Sequence, residues 1–398
     1  MAPTVCGAHL LATCIECECE FKSAPIAKEG FELTCPNCGN RDLAVADCEA
    51  VDSKEFELLP FAKFPRRWEI VGFKFPEESD NDTGVKRIVG LPGDTIEIRK
   101  GDLFSNEKIL RKSWEQQKEV RIPVFDSKFN AVVPFDNSKR LRPVETENGW
   151  VVGSSDIKYD ATFSGVHWLD YVHWRNFRRP GDRDEEFPIE DAYGFNQQTT
   201  RELNATDDLM IQLDAELDSG SAVHFAFRRG KADFQFEVSK GEEYFNVKWS
   251  GKSKRKPLVY QSQLAEALPA CVIEFSSFDR MLMLRINGKS MFELREDETA
   301  AEVSDESIFE AGSKSVFRIG GSQGYFCLKR TRVWRDVYYL AAPAGFDAPK
   351  NPKLTAGAEE YILLGDNSPE SLDSRMWKSP GIPRSDLIGR LILSQQKD

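Results

Sequence analysis

Glu69-Ile70-Val71-Gly72-Phe73-Lys74-Phe75, then Lys86-Arg87-Ile88-Val89-Gly90-Leu91-Pro92-Gly93-Asp94, then Thr95-Ile96-Glu97-Ile98-Arg99 is the stretch from which the fold is read. Apolar and polar residues alternate in the first and third segments, the period of a strand with one face in a core. Pro76 ends the first, Gly90 to Asp94 form a turn between the second and third, and Lys100-Gly101-Asp102 closes the third. Residues 51–112 therefore read as short antiparallel strands joined by tight turns, and the chain as mainly β.

Working outward, 398 residues suffice for two or three domains with cores of their own. A net charge of -12 with 30% charged residues describes an acidic chain and argues against a nucleic-acid partner, which calls for a basic face. No apolar run reaches the ~20 residues needed to cross a bilayer, and no basic-then-apolar leader opens the sequence. The chain as written is expected to be soluble.

Residues 1–50 hold seven of the nine cysteines. Cys14-x-x-Cys17 and Cys35-Pro36-Asn37-Cys38-Gly39, with 17 residues between the pairs, have the spacing of a zinc-ribbon-like unit. A structural zinc on Cys14, Cys17, Cys35 and Cys38 is one reading; disulfides are the other. Cys19, beside Cys17, could exchange with it as a ligand. A closed four-cysteine site leaves no open position for substrate, so its role would be structural.

Residues 113–335 have a different texture. Leu209, Ile211, Leu213, Ala215 and Leu217 alternate, as do Val223, Phe225 and Phe227, then Phe234, Phe236 and Val238, then Val247 and Trp249. Asn287-Gly288 between two apolar runs is a hairpin signal. Several strands at this spacing predict an inserted β-sandwich, and 208–333 resembles a laminin G-like or concanavalin-like jelly roll. Asp336 to Tyr339 returns the chain to the first domain, and Tyr361-Ile362-Leu363-Leu364 reads as a short buried strand. The division expected is 1–50, 51–112, 113–335 and 336–398.

Three segments share a further likeness: Met1-Ala2-Pro3-Thr4, Lys86 to Asp94, and Gly365-Asp366-Asn367-Ser368-Pro369-Glu370-Ser371-Leu372-Asp373-Ser374-Arg375. Together they resemble the signature boxes of bacterial type I signal peptidases, over roughly 1–112 and 336–398. The resemblance implies a signal-peptidase-type antiparallel β catalytic fold and a Ser-Lys serine endopeptidase that removes signal peptides from exported preproteins without a catalytic cofactor. It makes Lys86 the general base, with Ser371 orienting its amine. It also pairs Arg87 with Asp366 and Asp373 with Arg375, and gives Gly365 the task of keeping the chain close beneath the site. Met1 and Pro3 then follow a nucleophilic serine expected immediately ahead of Met1. A membrane anchor is expected further upstream, with the catalytic domain on the extracytoplasmic side. Gly381-Ile382-Pro383 and Asp386 to Arg390 are similar to the family's closing segment. Lys378-Ser379-Pro380 and residues 53–64 depart from its pattern.

A lysine base must be uncharged when substrate arrives, so its pKa must fall from ~10.4 to about 7–8. Taken alone, Lys86 would read as a solvated strand lysine. Ser290-Met291 is followed by Phe292-Glu293 and does not fit the nucleophile pattern. His9, His167, His173 and His224 lack a nucleophile-elbow context. The alternative function is a non-catalytic cell-surface binding protein whose sandwich recognises a glycan or a protein through tryptophans such as Trp168 and Trp174; core packing is the competing use of those rings.

Overall fold

The computed structural model describes residues 1–26, 30–53, 56–75, 82–129, 140–144, 149–153, 156–160, 164–173, 186–229, 232–241, 244–249, 259–263, 270–295, 309, 315–347 and 352–392. Trp174 lies outside them. Among the described residues the chain is mainly antiparallel β, as its alternation predicts.

Two small sheets carry the stretch from which the fold was read. In one, Thr83–Gly90 lies between Ile70–Lys74 and Glu360–Leu364, with Val71 opposite Lys86 and Leu364 opposite Arg87. Leu387–Leu391 and Leu58–Leu59 extend it on one side and Gly381–Pro383 on the other. The second sheet sets Thr95–Arg99 between Asp102–Ser105 and Lys353–Thr355. Val89, Ile96, Ile98, Leu103, Ile362 and Leu364 pack with Trp68 in one buried cluster. Strands distant in sequence thus pair because each has an apolar face to bury.

Two larger sheets form the sandwich. In one, Tyr325–Arg335 and Leu209–Leu217 pair centrally; in the other, Ala222–Arg229 lies between Phe317–Gln323 and Ala232–Lys240. The alternating Leu209, Ile211 and Leu213 meet Phe225, Phe227, Phe234 and Phe236 in a shared core. Asn287 and Gly288 both take positive φ (49° and 75°), as a two-residue hairpin between Met281–Ile286 and Lys289–Arg295 requires.

A short helix, Trp114–Val120, opens the passage into the sandwich. Ser113-Trp114-Glu115-Gln116 is a capping-box sequence: the Ser113 hydroxyl accepts from the Gln116 amide, and the Gln116 side chain accepts from the Ser113 amide. The junction is tied by Lys112, buried, whose amine reaches Asp279 at 2.6 Å and Asp336 at 2.8 Å. Burial, with Asp208 and Asp279 nearby, pushes the Asp102 carboxyl at this junction up to about 8.

The cysteine-rich unit docks on the same body. The Asn37 side chain donates to the Phe129 carbonyl at 2.7 Å and accepts from the Asp126 amide at 2.8 Å. Gln197 exchanges two hydrogen bonds with the backbone of Thr34.

Candidate active site and cysteine cage

The Lys86 amine donates to the Ser371 hydroxyl at 2.8 Å. Lys86 sits in the middle of Thr83–Gly90, while Ser371 lies in the loop that follows Glu360–Leu364, the neighbouring strand. Burial lowers the lysine pKa from its ordinary value. Asp373 opposes that shift, Arg375 adds to it, and Asp366 opposes it. Arg375 is thus the cation whose charge lowers this amine, while Arg87 is matched elsewhere.

Arg87 is fully buried and grips Asp366 with two parallel bonds, Nε to Oδ1 at 2.9 Å and Nη2 to Oδ2 at 2.8 Å. Its remaining nitrogen donates to the Trp68 carbonyl at 2.7 Å and to Glu119 at 3.3 Å. Burial alone would raise the Asp366 carboxyl, but Arg87 and the Thr4 hydroxyl, which donates to it at 2.5 Å, hold it below the usual carboxylate range. A buried guanidinium is tolerable only when its charge and donors are met in this way.

The other pair is as closely matched. The side chains of Arg375 and Asp373, neither of them exposed, make two bonds of 2.8 Å. Arg375 also donates to the carbonyls of Leu340 and Ser368 and to the Ser368 hydroxyl, and Asp373 accepts from the Gly365 amide at 3.0 Å. Gly365 has no alternative here: a Cβ would stand 2.1 Å from Ser371 Oγ and 3.4 Å from Lys86 Nζ.

Thr4 brings the first residues to the same place. Its hydroxyl bond to Asp366 sets the opening tetrapeptide beside the Arg87 clamp. Lys86, Arg87, Asp366, Ser371, Asp373, Arg375 and the Met1–Thr4 segment are thus one cluster. Sequence reasoning did not single out Thr4, Glu119 or Tyr193, whose hydroxyl donates to the Asp366 carbonyl at 2.7 Å. For Thr4 the signal was its place in the opening tetrapeptide; for Tyr193 no local pattern marks the contact.

The remaining candidates lie apart. Ser290 is exposed in a sandwich strand. His9 bonds the Gly7 carbonyl, His173 meets Arg140 and Tyr171, His224 meets Ser322, and His167 belongs to a sandwich strand. Trp168 is half-buried, with its ring against the space a Cβ on Gly320 would need.

The sulfurs of Cys14, Cys17, Cys35 and Cys38 all lie within 4.8 Å of one another. The Cys14–Cys38 and Cys17–Cys35 sulfurs are each 3.6 Å apart. That is far from the ~2.05 Å of a disulfide and close to the edge of a tetrahedron around an ion with ~2.3 Å bonds to sulfur. Gly39, at φ 80°, closes the second knuckle, and the Asn40 amide points at the Cys38 sulfur at 3.5 Å. Cys19 stands outside the four. Four sulfurs gathered in this way are a donor set that could hold a metal ion.

Residues 36–166 match the family model described as signal peptidase, peptidase S26, which covers less than half of the chain and includes Lys86. No curated protein matches the sequence. Among solved structures, the endo-1,3-beta-glucanase (laminarinase) catalytic domain of Thermotoga petrophila is 14% identical, covering 32% of this chain and 64% of its own at a TM-score of 0.25. The endo-beta-1,3-glucanase of Pyrococcus furiosus is 12% identical, covering 33% and 62% at 0.25. The laminarinase catalytic domain of Thermotoga maritima is 12% identical, covering 54% and 98% at 0.35. This chain spans less than two thirds of the length of the first two. No helix among the described residues is long and apolar enough to cross a membrane. The chain therefore carries a signal peptidase S26 family domain, from a family of serine peptidases, alongside a two-sheet β-sandwich.

Proposed function

We propose that this protein is a signal-peptidase-type serine endopeptidase that cleaves signal peptides from exported preproteins with a Ser-Lys dyad. Lys86 is its base, and its nucleophile is a serine joined to the amine of Met1. The observation that carries the reading is the 2.8 Å bond from Lys86 to Ser371, with Thr4 of the opening tetrapeptide bonded to Asp366 in the same cluster.

The chemistry then follows from the parts. The serine hydroxyl gives its proton to the neutral amine of Lys86 as its oxygen bonds to the scissile carbonyl carbon. As the C–N bond breaks, the ammonium returns the proton to the leaving amine, and an ester remains. Lys86 next takes a proton from the water that attacks the ester carbon; as the ester C–O bond breaks, the ammonium returns the proton to the serine oxygen and the acid leaves. Ser371 accepts one N–H of the lysine and so aims its lone pair. Asp373 and Arg375 hold the loop carrying Ser371, and Arg87 with Asp366 anchors the strand beneath. The preprotein binds extended, as an added strand beside the cleft. Membrane anchoring ahead of the serine places this work on the extracytoplasmic side, and Cys14, Cys17, Cys35 and Cys38 hold a structural zinc.

The test is cleavage of a signal-peptide substrate by the chain extended through a serine ahead of Met1. Cleavage appears on extension and disappears in Lys86→Ala. No cleavage with the serine present, or retention of activity without the lysine, rejects the reading.

A further inference from the structure

We propose that Tyr193 and Asn196, both in the inserted segment between residues 113 and 335, are positioning residues for the Lys86 site. The inference rests on the catalytic reading of Lys86. It assigns the insert a part in holding the base.

The contacts run from the sandwich to the dyad. Arg335 ends the central strand Tyr325–Arg335, where Ile122 and Leu209 face it from the two flanking strands. Its buried guanidinium donates to the Ala192 carbonyl at 2.7 Å and lies 4.7 Å from the centre of the Tyr193 ring. Tyr193 leaves the sandwich there and enters the buried cluster of Trp68, Val89, Ile96 and Ile362. Its hydroxyl bonds the carbonyl of Asp366, the residue that clamps Arg87. Three residues on, Asn196 and Asn367 bond each other through both amide groups, with Asn367 Nδ2 reaching Asn196 Oδ1 at 2.9 Å. Thr199 bonds Glu370, next to Ser371. The loop 366–371 is thus held at three successive points by one segment of the insert.

A hydrogen bond to a buried carbonyl fixes position because leaving that carbonyl unmet is costly. Without the Tyr193 hydroxyl or the Asn196 amide, the loop relaxes, Ser371 withdraws from Lys86, and water enters. Burial is the first cause of the lowered lysine pKa, so its loss moves the amine back towards an ordinary lysine.

The experiment follows the titration of Lys86 by NMR in the chain labelled with isotope-enriched lysine, the signal being assigned with Lys86→Arg. Tyr193→Phe keeps the ring and its place over Arg335; Asn196→Leu keeps the branched shape and removes the amide without adding a charge. In each the Lys86 titration rises by about one unit, a tenfold fall in free amine at neutral pH. Trp150→Phe, which removes an indole bonded within the sandwich to the His167 carbonyl, leaves the titration where it was while lowering the melting temperature. Titrations of Tyr193→Phe and Asn196→Leu that superpose on the parent's, or an equal rise in Trp150→Phe, overturn the inference and leave the catalytic reading intact. An ordinary lysine titration in the parent overturns both.

Discussion

Lys86 and Ser371, 285 residues apart in sequence, are joined by a 2.8 Å hydrogen bond between amine and hydroxyl. The bond exists because Thr83–Gly90 and Glu360–Leu364 pair as neighbours, and the loop after the second strand folds back over the first. Its consequences can be measured without a substrate.

A lysine whose folded-state pKa is lowered binds its proton less readily when folded than when unfolded. Below the folded value the unfolded chain gains the full advantage of protonation; as pH rises towards ~10.4 that disadvantage to the fold disappears. Lys86→Met should therefore be more stable than the parent near neutral pH, and the difference should shrink at about pH 10.5. Urea denaturation at the two pH values measures this; parallel behaviour of the two proteins would refute the lowered amine.

Gly365→Ala places a methyl 2.1 Å from the Ser371 hydroxyl and 2.7 Å from its Cβ. Either the loop shifts or Ser371 turns away, at a cost of about 1–3 kcal/mol in stability. Misplacing the residue that aims the base should also cut cleavage by the serine-extended chain about 100-fold. Denaturation and kinetics on one preparation check both; wild-type values in each would show that the close approach is idle.

Asp366→Asn removes the charge that matches Arg87 while neither side chain has any exposure. A buried guanidinium left unmatched costs about 3–5 kcal/mol. The pH dependence has a definite sign: the lowered Asp366 carboxyl stabilises the fold above its unfolded-state pKa and loses that effect as pH falls through the folded value. The variant should lack this part of the acid slope, which thermal melts from neutral to acidic pH can follow.

If the four cysteines hold zinc, metal analysis should find one ion per chain, a strong chelator should lower the melting temperature, and reductant alone should not. Cys35→Ser should reproduce the chelator's effect. Because Asn37 is bonded to the backbone at Asp126 and Phe129, the loss should extend to protection of those amides from hydrogen exchange. A stabilising disulfide would give the reverse dependence on reductant.

Some of this architecture is local and was legible as such. Alternation over 69–75, 95–99 and 209–217 predicts strands because a two-residue period allows one face to be buried. Asn287-Gly288 predicts its hairpin because both residues tolerate positive φ. The two C-x-x-C pairs predict a cage because each knuckle sets two sulfurs side by side. The helix Trp114–Val120 had a readable start in Ser113 to Gln116, yet at seven residues it owes its place to Trp114 packing on Met210, Phe278 and Trp334.

By itself the sequence determined which short segments become strands and which cysteines sit in knuckles, since each is written within a few neighbouring residues. The tertiary structure alone decided that Arg375 lies where its charge lowers the Lys86 amine, that Thr4 reaches Asp366, and that Tyr193 crosses from the sandwich to the same residue's backbone. Those contacts depend on where distant loops land once the sheets pack, and burial, which sets the cost of every unmatched charge, is a property of the whole fold.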